Sequence, residues 1–199
     1  MIVHPLYPPR DIYRCIDYLL LGERNTLQCV NTLIDAGGDA RLFEDIAVFN
    51  TGMGKRAVEQ IILTHSHFDH TSAIKLLKER WNPQVLSFTQ TPHTTRIIRD
   101  GDMIPAADGE LLVIHTPLHS NDSVCLWNEK QGVLFSGDVI LNIKTPGGSY
   151  PRSYVDFIDR LLHWEIKAIY SGHDKPVTTR IYETLLITMK SVLLSEILD

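Results

Sequence analysis

The chain has 199 residues, of which 44% are hydrophobic and 22% are charged, and this composition is typical of a globular domain. No apolar run approaches the roughly 18 residues that a membrane-spanning helix needs, so we expect no membrane partner. The formal net charge is −5 and Lys and Arg form no block, so we expect no nucleic-acid partner, because phosphate contacts need a cationic surface.

The first sixty residues predict strands and then short helices. Residues 12–21 and 27–34 are rich in apolar and β-branched side chains and predict two strands, with a hairpin-like GERN turn between them. We expect one helix from about Ala40 into the forties and another over residues 55–60. The Gly52-Met-Gly-Lys55 sequence lacks the spacing of a phosphate-binding loop, so it is interpreted as a turn.

The remaining residues alternate between strands and helices. Residues 60–64 form a compact apolar run that predicts a buried strand, and residues 72–80 predict a helix with one apolar side. Further strands are predicted at residues 85–88, 111–115, 124–127, 133–135 and 168–170, and further helices at residues 156–164 and 178–198. This alternation in two similar halves predicts an α/β fold, a four-layer αββα sandwich whose loops gather at one edge.

Four side chains of metal-ligand type directly follow the predicted strand 60–64: His65, His67, Asp69 and His70. In an extended chain residues i and i+2 point the same way, so His65 and His67 can face one ion. The chain must then turn, which lets Asp69 and His70 reach a second ion. Neutral imidazoles suit a borderline metal such as zinc or iron, and carboxylates balance its charge. We therefore expect a metal site rather than a surface loop that happens to be rich in histidine.

Three further candidate ligands each follow a predicted strand: His119, Asp138 and His173. Glycine precedes both Asp138 and His173, and glycine permits a close approach of the backbone. Each of these short motifs is weak alone, because Gly-Asp is often a turn and Gly-His often a cap. Together, side chains at the ends of several strands can meet at one edge of a rigid scaffold.

Six segments in the chain resemble, in the same order, the motifs of the metallo-β-lactamase superfamily. They are LIDAGG at residues 33–38, THSHFDH at 64–70, GDMI at 101–104, HTPLHS at 115–120, LFSGD at 134–138 and SGH at 171–173. The resemblance covers nearly the whole chain and implies a single metallo-β-lactamase-like domain over residues 1–199. The full set of seven ligands is similar to the small glyoxalase II-like (hydroxyacylglutathione hydrolase-like) members.

The resemblance also implies a binuclear site. In that family pattern His65, His67 and His119 would bind the first metal ion, Asp69, His70 and His173 the second, and Asp138 both. A hydroxide that bridges the ions would hydrolyse a thioester, ester or lactone, and Asp69 and Asp138 would act as catalytic groups that orient it. The expected cofactors are two divalent ions, with zinc as the first choice and iron or manganese as alternatives, since sites of this type accept all three.

The segment after Asp138, residues 139–154, differs from the arginine-rich segment that is usual in glyoxalase II. It contains Gly and Pro, and we expect it to lie over the metal site. Candidate substrate contacts in it are Lys144, Tyr150, Arg152 and Tyr154, although a solvated loop would account for them equally well. The residues after His173 suffice for one helix but not for a helical glutathione-binding domain. We expect a small-molecule substrate whose identity the sequence leaves open.

Three other functions remain as alternatives. A mononuclear iron persulfide dioxygenase would use His65, His119 and Asp138 but not Asp69 or His70. A phosphodiesterase on the same fold is disfavoured by the acidic charge. A non-enzymatic sensor or scaffold protein is disfavoured because no ligand position is missing.

Three smaller expectations complete the analysis of the sequence. Cys15, Cys29 and Cys125 form no CxxC pair and are interpreted as buried free thiols. The first residues have no basic start followed by an apolar segment, which predicts a cytoplasmic protein without a signal peptide. The apolar final helix could supply the interface of a homodimer.

Overall fold

The computed structural model describes residues 1–8 and 14–198. Its first sheet contains six strands: β1 (Ile2–Leu6), β2 (Asp17–Leu21), β3 (Thr32–Ile34), β4 (Gln60–Ile62), β5 (Gln84–Ser87) and β6 (Arg96–Ile97). These strands lie side by side in chain order. The first two pairings are antiparallel, and the strands from β3 to β6 run parallel. Because β2, β3 and β4 are covered on both faces, all of their residues are buried.

The second sheet contains five strands: β7 (Met103–Ala106), β8 (Gly109–His115), β9 (Val124–Asn128), β10 (Val133–Gly137) and β12 (Ala168–Ser171). Their order across the sheet is β12-β10-β9-β8-β7, and only the pairing of β10 with β12 is parallel. A separate two-stranded parallel ribbon joins β11 (Ser149–Pro151) to β13 (Glu196–Leu198). The two large sheets meet beyond the end of β4, where the Val124 amide donates to the Thr64 carbonyl at 2.8 Å.

The described residues contain five helices: α1 (Arg41–Ala47), α2 (Phe68–Thr71), α3 (Ile74–Trp81), α4 (Arg152–Leu162) and α5 (Ile181–Leu193). Of these, α2 lies in the loop after β4, and the other four cover the outer faces of the two sheets. One apolar core lies between the sheets and contains Ile62 and Phe135. A second packs α1 and α3 on the first sheet, and a third packs α4 and α5 on the second. These layers confirm the predicted α/β sandwich, αββα. No helix among the described residues combines the length and the apolar character that crossing a bilayer requires.

The amino-acid pattern of α4 shows how an outer layer attaches to its sheet. The buried side chains of α4 recur at intervals of three and four residues, which places them on one face: Tyr154, Val155, Phe157, Ile158 and Leu161. They pack on Trp127 and Leu134 of the second sheet. Burying each large apolar side chain contributes about 1.5–3 kcal/mol. The helix therefore holds the segment after Asp138 against the sheet.

The helix predicted over residues 55–60 is wrong, because Lys55 fixes this segment as an irregular loop. Its ammonium group is buried and donates to the carbonyl of Cys29 at 2.6 Å and to Oδ1 of Asn31 at 3.1 Å. It also forms an ion pair with Glu59 at 3.3 Å. These contacts with an earlier loop override the local helical preference of residues 55–60. Lys55 therefore stabilises the fold, which agrees with its interpretation as part of a turn rather than of a phosphate-binding loop.

Three other predicted elements change their bounds. The strand predicted at residues 27–34 shrinks to β3, because Leu27 is 79% exposed and only Val30 makes an isolated bridge to Ala107. The strand predicted at 12–21 shrinks to β2, and residues 12 and 13 lie outside the described part of the chain. The final helix ends at Leu193, and the chain then pairs with β11 instead of continuing as a helix to residue 198.

Candidate metal centre

The seven candidate ligands lie together on four loops at the edge where the two sheets meet. Residues 65–70 follow β4 of the first sheet, while His119, Asp138 and His173 follow β8, β10 and β12 of the second. Among the described residues, three groups of close ligand atoms together contain all seven of these side chains, and a fourth joins His70 to Cys15 and Asp35. The structure therefore brings the whole predicted set together.

Three histidines form one compact set of nitrogen atoms. Nδ1 of His67 lies 3.0 Å from Nε2 of His65 and 3.0 Å from Nε2 of His119. Two nitrogens that each lie about 2.0–2.1 Å from a tetrahedral zinc ion are separated by roughly 3.3 Å. The three side chains could thus hold one ion with little rearrangement.

A second set lies beside the first and contains both carboxylates. Oδ2 of Asp69 is 3.0 Å from Nε2 of His173 and 3.8 Å from Nε2 of His70. Asp138 lies between the sets. Its Oδ1 is 3.2 Å from Nε2 of His70, and its Oδ2 is 3.4 Å from His173, 3.6 Å from His119 and 3.9 Å from His65. One carboxylate therefore faces the nitrogen donors of both sets.

Two buried atoms test whether this centre suits a cation. Nε2 of His70 and Oδ1 of Asp138 are buried, and neither has a hydrogen-bond partner among the described residues. The other ring nitrogen of His70 donates to Asp35 at 2.9 Å, so Nε2 is the ring nitrogen that can offer a lone pair toward the carboxylate. Buried polar atoms without partners are costly, and a metal ion between the two atoms would satisfy both. The donor set and its geometry thus fit divalent metal ions.

Asp35 orients the ligands and was not singled out as a site residue from the sequence. Its Oδ1 accepts the Thr64 amide at 2.7 Å, and its Oδ2 accepts the Thr64 hydroxyl at 2.8 Å as well as His70. Because the Thr64 proton goes to Asp35, His65 donates its Nδ1 proton to the Thr64 oxygen at 3.1 Å, and its Nε2 is free to bind a metal. The sequence signal for this role is an Asp at the end of an apolar strand, in Asp35-Ala-Gly-Gly. In the structure, the φ of +59° at Asp35 shows that the turn is unusual.

The electrostatics of the centre favour a positive charge in it. Burial, with the charge of His70, lowers the pKa of His65 to about 4, so His65 is neutral at neutral pH. Burial also lowers the pKa of His70, but the nearby charges of Asp35 and Asp138 and the hydrogen bond with Asp35 outweigh it and raise that pKa to about 10. Burial acts to raise the pKa of Asp138, yet the adjacent His173 and His70 hold it far below its usual range. A bound cation would take the place of the proton on His70.

Two residues of the surrounding backbone pack tightly against the ligands. A Cβ atom on Gly172 would lie 2.2 Å from Oδ1 of Asp138, and one on Gly37 would lie 2.0 Å from the carbonyl oxygen of Asp69. Tyr18 is 2% exposed and donates its hydroxyl to the Ser171 carbonyl at 2.6 Å, which fixes the loop that carries His173. The ligand loops are therefore held by the protein itself.

An open cavity of about 320 Å³ adjoins the centre. The side chains of His119 and His173 are 31% and 33% exposed, so the centre is open on this side. The cavity is lined by His119, Asp138, Val139, Ile140, Ser171, His173 and Asp174.

The four candidate substrate contacts lie in different surroundings. Lys144 lines a separate cavity of about 430 Å³ with Asn142 and Arg180. Tyr154 is 5% exposed, its ring lies 5.3 Å from that of the half-buried Tyr150, and its hydroxyl donates to the Ile140 carbonyl. Arg152 is exposed and lies 3.6 Å from Asp156. Lys144 is thus free to meet a ligand, whereas Tyr154 supports the loop that lines the site.

The fold and the ligand set define a family. The family model for the metallo-beta-lactamase superfamily matches residues 30–91 and 86–173. Because these overlapping matches span more than half of the chain, the chain belongs to the metallo-beta-lactamase superfamily. This confirms the family that the sequence motifs resemble.

Two curated proteins illustrate its relatives. An atrochrysone carboxyl ACP thioesterase of Paecilomyces divaricatus is 29% identical over 161 residues, which cover 74% of this chain and 51% of that protein. A hydroxyacylglutathione hydrolase of Pelagibacter ubique is 23% identical over 175 residues, which cover 82% of this chain and 70% of that protein. The chain thus spans about half the length of the thioesterase that it matches.

Solved structures support the same fold. The crystal structure of ETHE1 from Myxococcus xanthus superimposes with a TM-score of 0.69 at 19% identity, covering 97% of this chain and 90% of that one. The crystal structure of TTHA1623 in a di-iron-bound form superimposes with a TM-score of 0.65 at 19% identity, covering 96% of this chain and 97% of that one. At these identities the likeness is one of fold.

Proposed function

We propose that this chain is a binuclear metal-dependent hydrolase that cleaves a thioester, with an ester or a lactone as alternative substrates. The observation that carries the proposal is the position of Asp138, whose carboxylate lies within 3.9 Å of nitrogens from both ligand sets. Support for a thioester comes from two relatives, one named an ACP thioesterase and the other a hydroxyacylglutathione hydrolase.

In the proposed site one ion is held by the His65, His67 and His119 nitrogens. The other is held by Asp69, His70 and His173, and Asp138 is shared by both. Two bound divalent ions, with zinc as the first candidate and iron or manganese as alternatives, would lower the pKa of a shared water toward neutrality and polarise the substrate carbonyl.

The protein's own groups would position the water and move its proton. Asp138 faces histidine nitrogens with both oxygens, so it is suited to orienting the site rather than to carrying a proton away. The ion-pair contacts of Asp69 within the described residues both use Oδ2. Its Oδ1 can therefore accept a proton from the attacking water and pass it to the leaving group. We assign proton transfer to Asp69 and orientation to Asp138.

The substrate would approach through the cavity beside His119 and His173. Val139 and the 59% exposed Ile140 give this cavity an apolar wall that suits an acyl chain. Lys144 lines a separate cavity, and contacts of the substrate with Lys144, Tyr150, Arg152 and Tyr154 stay predictions.

Metal content and hydrolysis should be measured together. Protein purified without added metal is analysed by plasma emission and assayed against a panel of acyl thioesters, esters and lactones. We expect two ions per chain in the parent protein, about one in Asp69→Ala, and a loss of hydrolysis of at least 100-fold in that variant. His163→Ala is the matched control and should change neither value, since it removes an exposed histidine outside both ligand sets whose Nδ1 donates to the Asp159 carbonyl at 2.8 Å.

A second candidate function is iron-dependent oxidation of a persulfide at a mononuclear site. Nε2 of His65 and Nε2 of His119 lie 3.9 and 3.6 Å from Asp138, so these three side chains alone could hold one ion. One iron per chain that survives Asp69→Ala but is lost in His119→Ala would favour this function and contradict the binuclear hydrolase. The phosphodiesterase alternative stays a prediction.

A further inference from the structure

The outward face of α5 exposes large apolar side chains next to one another. Five of them on α5 and the residue after it are between 42% and 64% exposed: Tyr182, Leu186, Ile187, Leu193 and Leu194. The opposite face of the same helix is buried against the second sheet and α4 through Ile181, Leu185 and Val192. An outer-layer helix normally presents polar residues to water, so this face is suited to a partner.

The exposed residues form a regular stripe along the helix. Positions 183, 186, 187, 190, 193 and 194 recur at intervals of three and four residues, which is the spacing of a seam between two helices. Leu186 and Ile187 lie at the middle of the stripe. Glu183 lies one turn before them and Lys190 one turn after them, and both are exposed.

We propose that this stripe binds the same stripe of a second copy of the chain, with the two α5 helices antiparallel about a twofold axis between Leu186 and Ile187. In a twofold interface, if one residue contacts a second residue of the partner, then the second contacts the partner's copy of the first. Glu183 then lies at the height of the partner's Lys190, and Lys190 at the height of the partner's Glu183. The arrangement places one pair of opposite charges on each side of an apolar centre. A parallel arrangement would place like charges together.

The charges on this face favour that register. Glu183 has an ion pair with Arg180 of its own chain, at the start of the helix. Lys190 has no ion pair among the described residues, so the partner's Glu183 would supply one. The apolar centre would pack Leu186 on the partner's Ile187 and Ile187 on the partner's Leu186.

The size of the patch is adequate for a reversible dimer. Five large side chains that each expose about half of their surface present on the order of 500 Å² per copy, and the flanking charged residues add to this. Two copies would thus bury somewhat more than about 1,000 Å², which is near the lower limit of specific interfaces. The dimer should therefore dissociate on dilution.

Sedimentation equilibrium across a wide concentration range, with a reciprocal charge exchange, tests the proposal. The parent protein should approach twice the 22.6 kDa mass of the chain at high concentration. Glu183→Lys and Lys190→Glu should each weaken association by about tenfold or more, since each places like charges opposite one another. The double variant should restore association to within about threefold of the parent. Glu79→Lys reverses an exposed helical glutamate on α3 and should leave association unchanged.

A cross-linking measurement checks the register independently. Leu186→Cys should form a disulfide-linked dimer under mild oxidation, because the two copies of this position face each other near the axis. The native cysteines are all buried, so the link would come from the new thiol. Leu27→Cys, at a leucine that is 79% exposed elsewhere, is the matched control and should not cross-link. The proposal would be overturned if the parent protein stayed monomeric at all concentrations, or if the double charge variant did not recover association. Because a misfolded single variant would not be rescued by a second charge reversal, recovery would also exclude misfolding as the cause of the weaker association.

Discussion

Gly172→Ala should disturb the metal centre although it replaces none of the candidate ligands. A Cβ atom at this position would lie 2.2 Å from Oδ1 of Asp138 and 2.8 Å from Cε1 of His70. The φ of Gly172 lies outside the left-handed region, so alanine can adopt the backbone conformation and the effect is purely steric. The perturbation is therefore confined to the space between the two ligand sets.

The required displacement is large on the scale of metal coordination. Because non-bonded Cβ contacts shorter than 3.0 Å essentially do not occur, the Asp138 carboxylate must withdraw by about 1 Å, whereas metal–ligand distances tolerate only about 0.2 Å. We expect metal affinity to fall by about 100-fold or more. The crowding itself should lower the free energy of unfolding by about 1–3 kcal/mol.

Competition with a chelator measures the affinity, and metal analysis after dialysis measures the number of ions retained. Gly109→Ala is the matched control, since its Cβ would meet only an Asn128 side-chain nitrogen at 3.2 Å and a carbonyl at 4.0 Å, and its affinity should equal that of the parent. If Gly172→Ala retained both ions with the affinity of the parent, Asp138 would not be a shared ligand and the assignment of the centre would fail.

Three further changes test other parts of the structure. Asp35→Asn removes the carboxylate that accepts the Thr64 amide, the Thr64 hydroxyl and His70, so metal affinity measured by chelator competition should fall about 10- to 100-fold; an unchanged value would show that these hydrogen bonds do not orient the ligands. Lys55→Met leaves the Cys29 carbonyl and Glu59 without their buried partner, so the free energy of unfolding in urea should fall by about 2–4 kcal/mol while metal content stays the same. Burial raises the pKa of Asp17 from its usual 3.8 to about 7, so the folded state holds more protons than the unfolded state between these pH values, and this group makes stability fall as pH rises from about 4 to 7. Asp17→Asn should remove that part of the pH dependence, and a constant difference in unfolding free energy between the variant and the parent across this range would refute the reasoning.

The seven candidate ligands could be predicted because each lies within a few residues of the strand that positions it. His65 and Asp138 directly follow apolar runs, and that local pattern is visible without any tertiary information. The role of Asp35 could not be predicted in the same way. It depends on contacts with Thr64 and His70, which lie 29 and 35 positions away in the chain. The sequence segment that contains it was recognised, but its partners were not.

The errors in secondary structure have the same origin. Residues 55–60 carry a helical preference, but Lys55 binds groups 24 to 29 positions earlier and these contacts decide the conformation. The short strands β1, β6, β7, β11 and β13 were not predicted; each has five residues or fewer and lies at an edge, where pairing with another segment rather than local periodicity defines it. The buried strands and the amphipathic helices carry their own signals, and these were predicted.

The origin of the ligands in both sheets has a consequence for the durability of the protein. Residues 65–70 follow a strand of the first sheet and His119, Asp138 and His173 follow strands of the second, so any ion that they share adds a link between two halves that meet through an apolar layer and a few hydrogen bonds. Such an ion binds the folded chain in preference to the unfolded one, and at 100 times its dissociation constant it would add about 2.7 kcal/mol to the stability. A shortage of metal would then shorten the lifetime of the polypeptide as well as abolish its activity, because a chain without its ions lacks one of the links between its sheets.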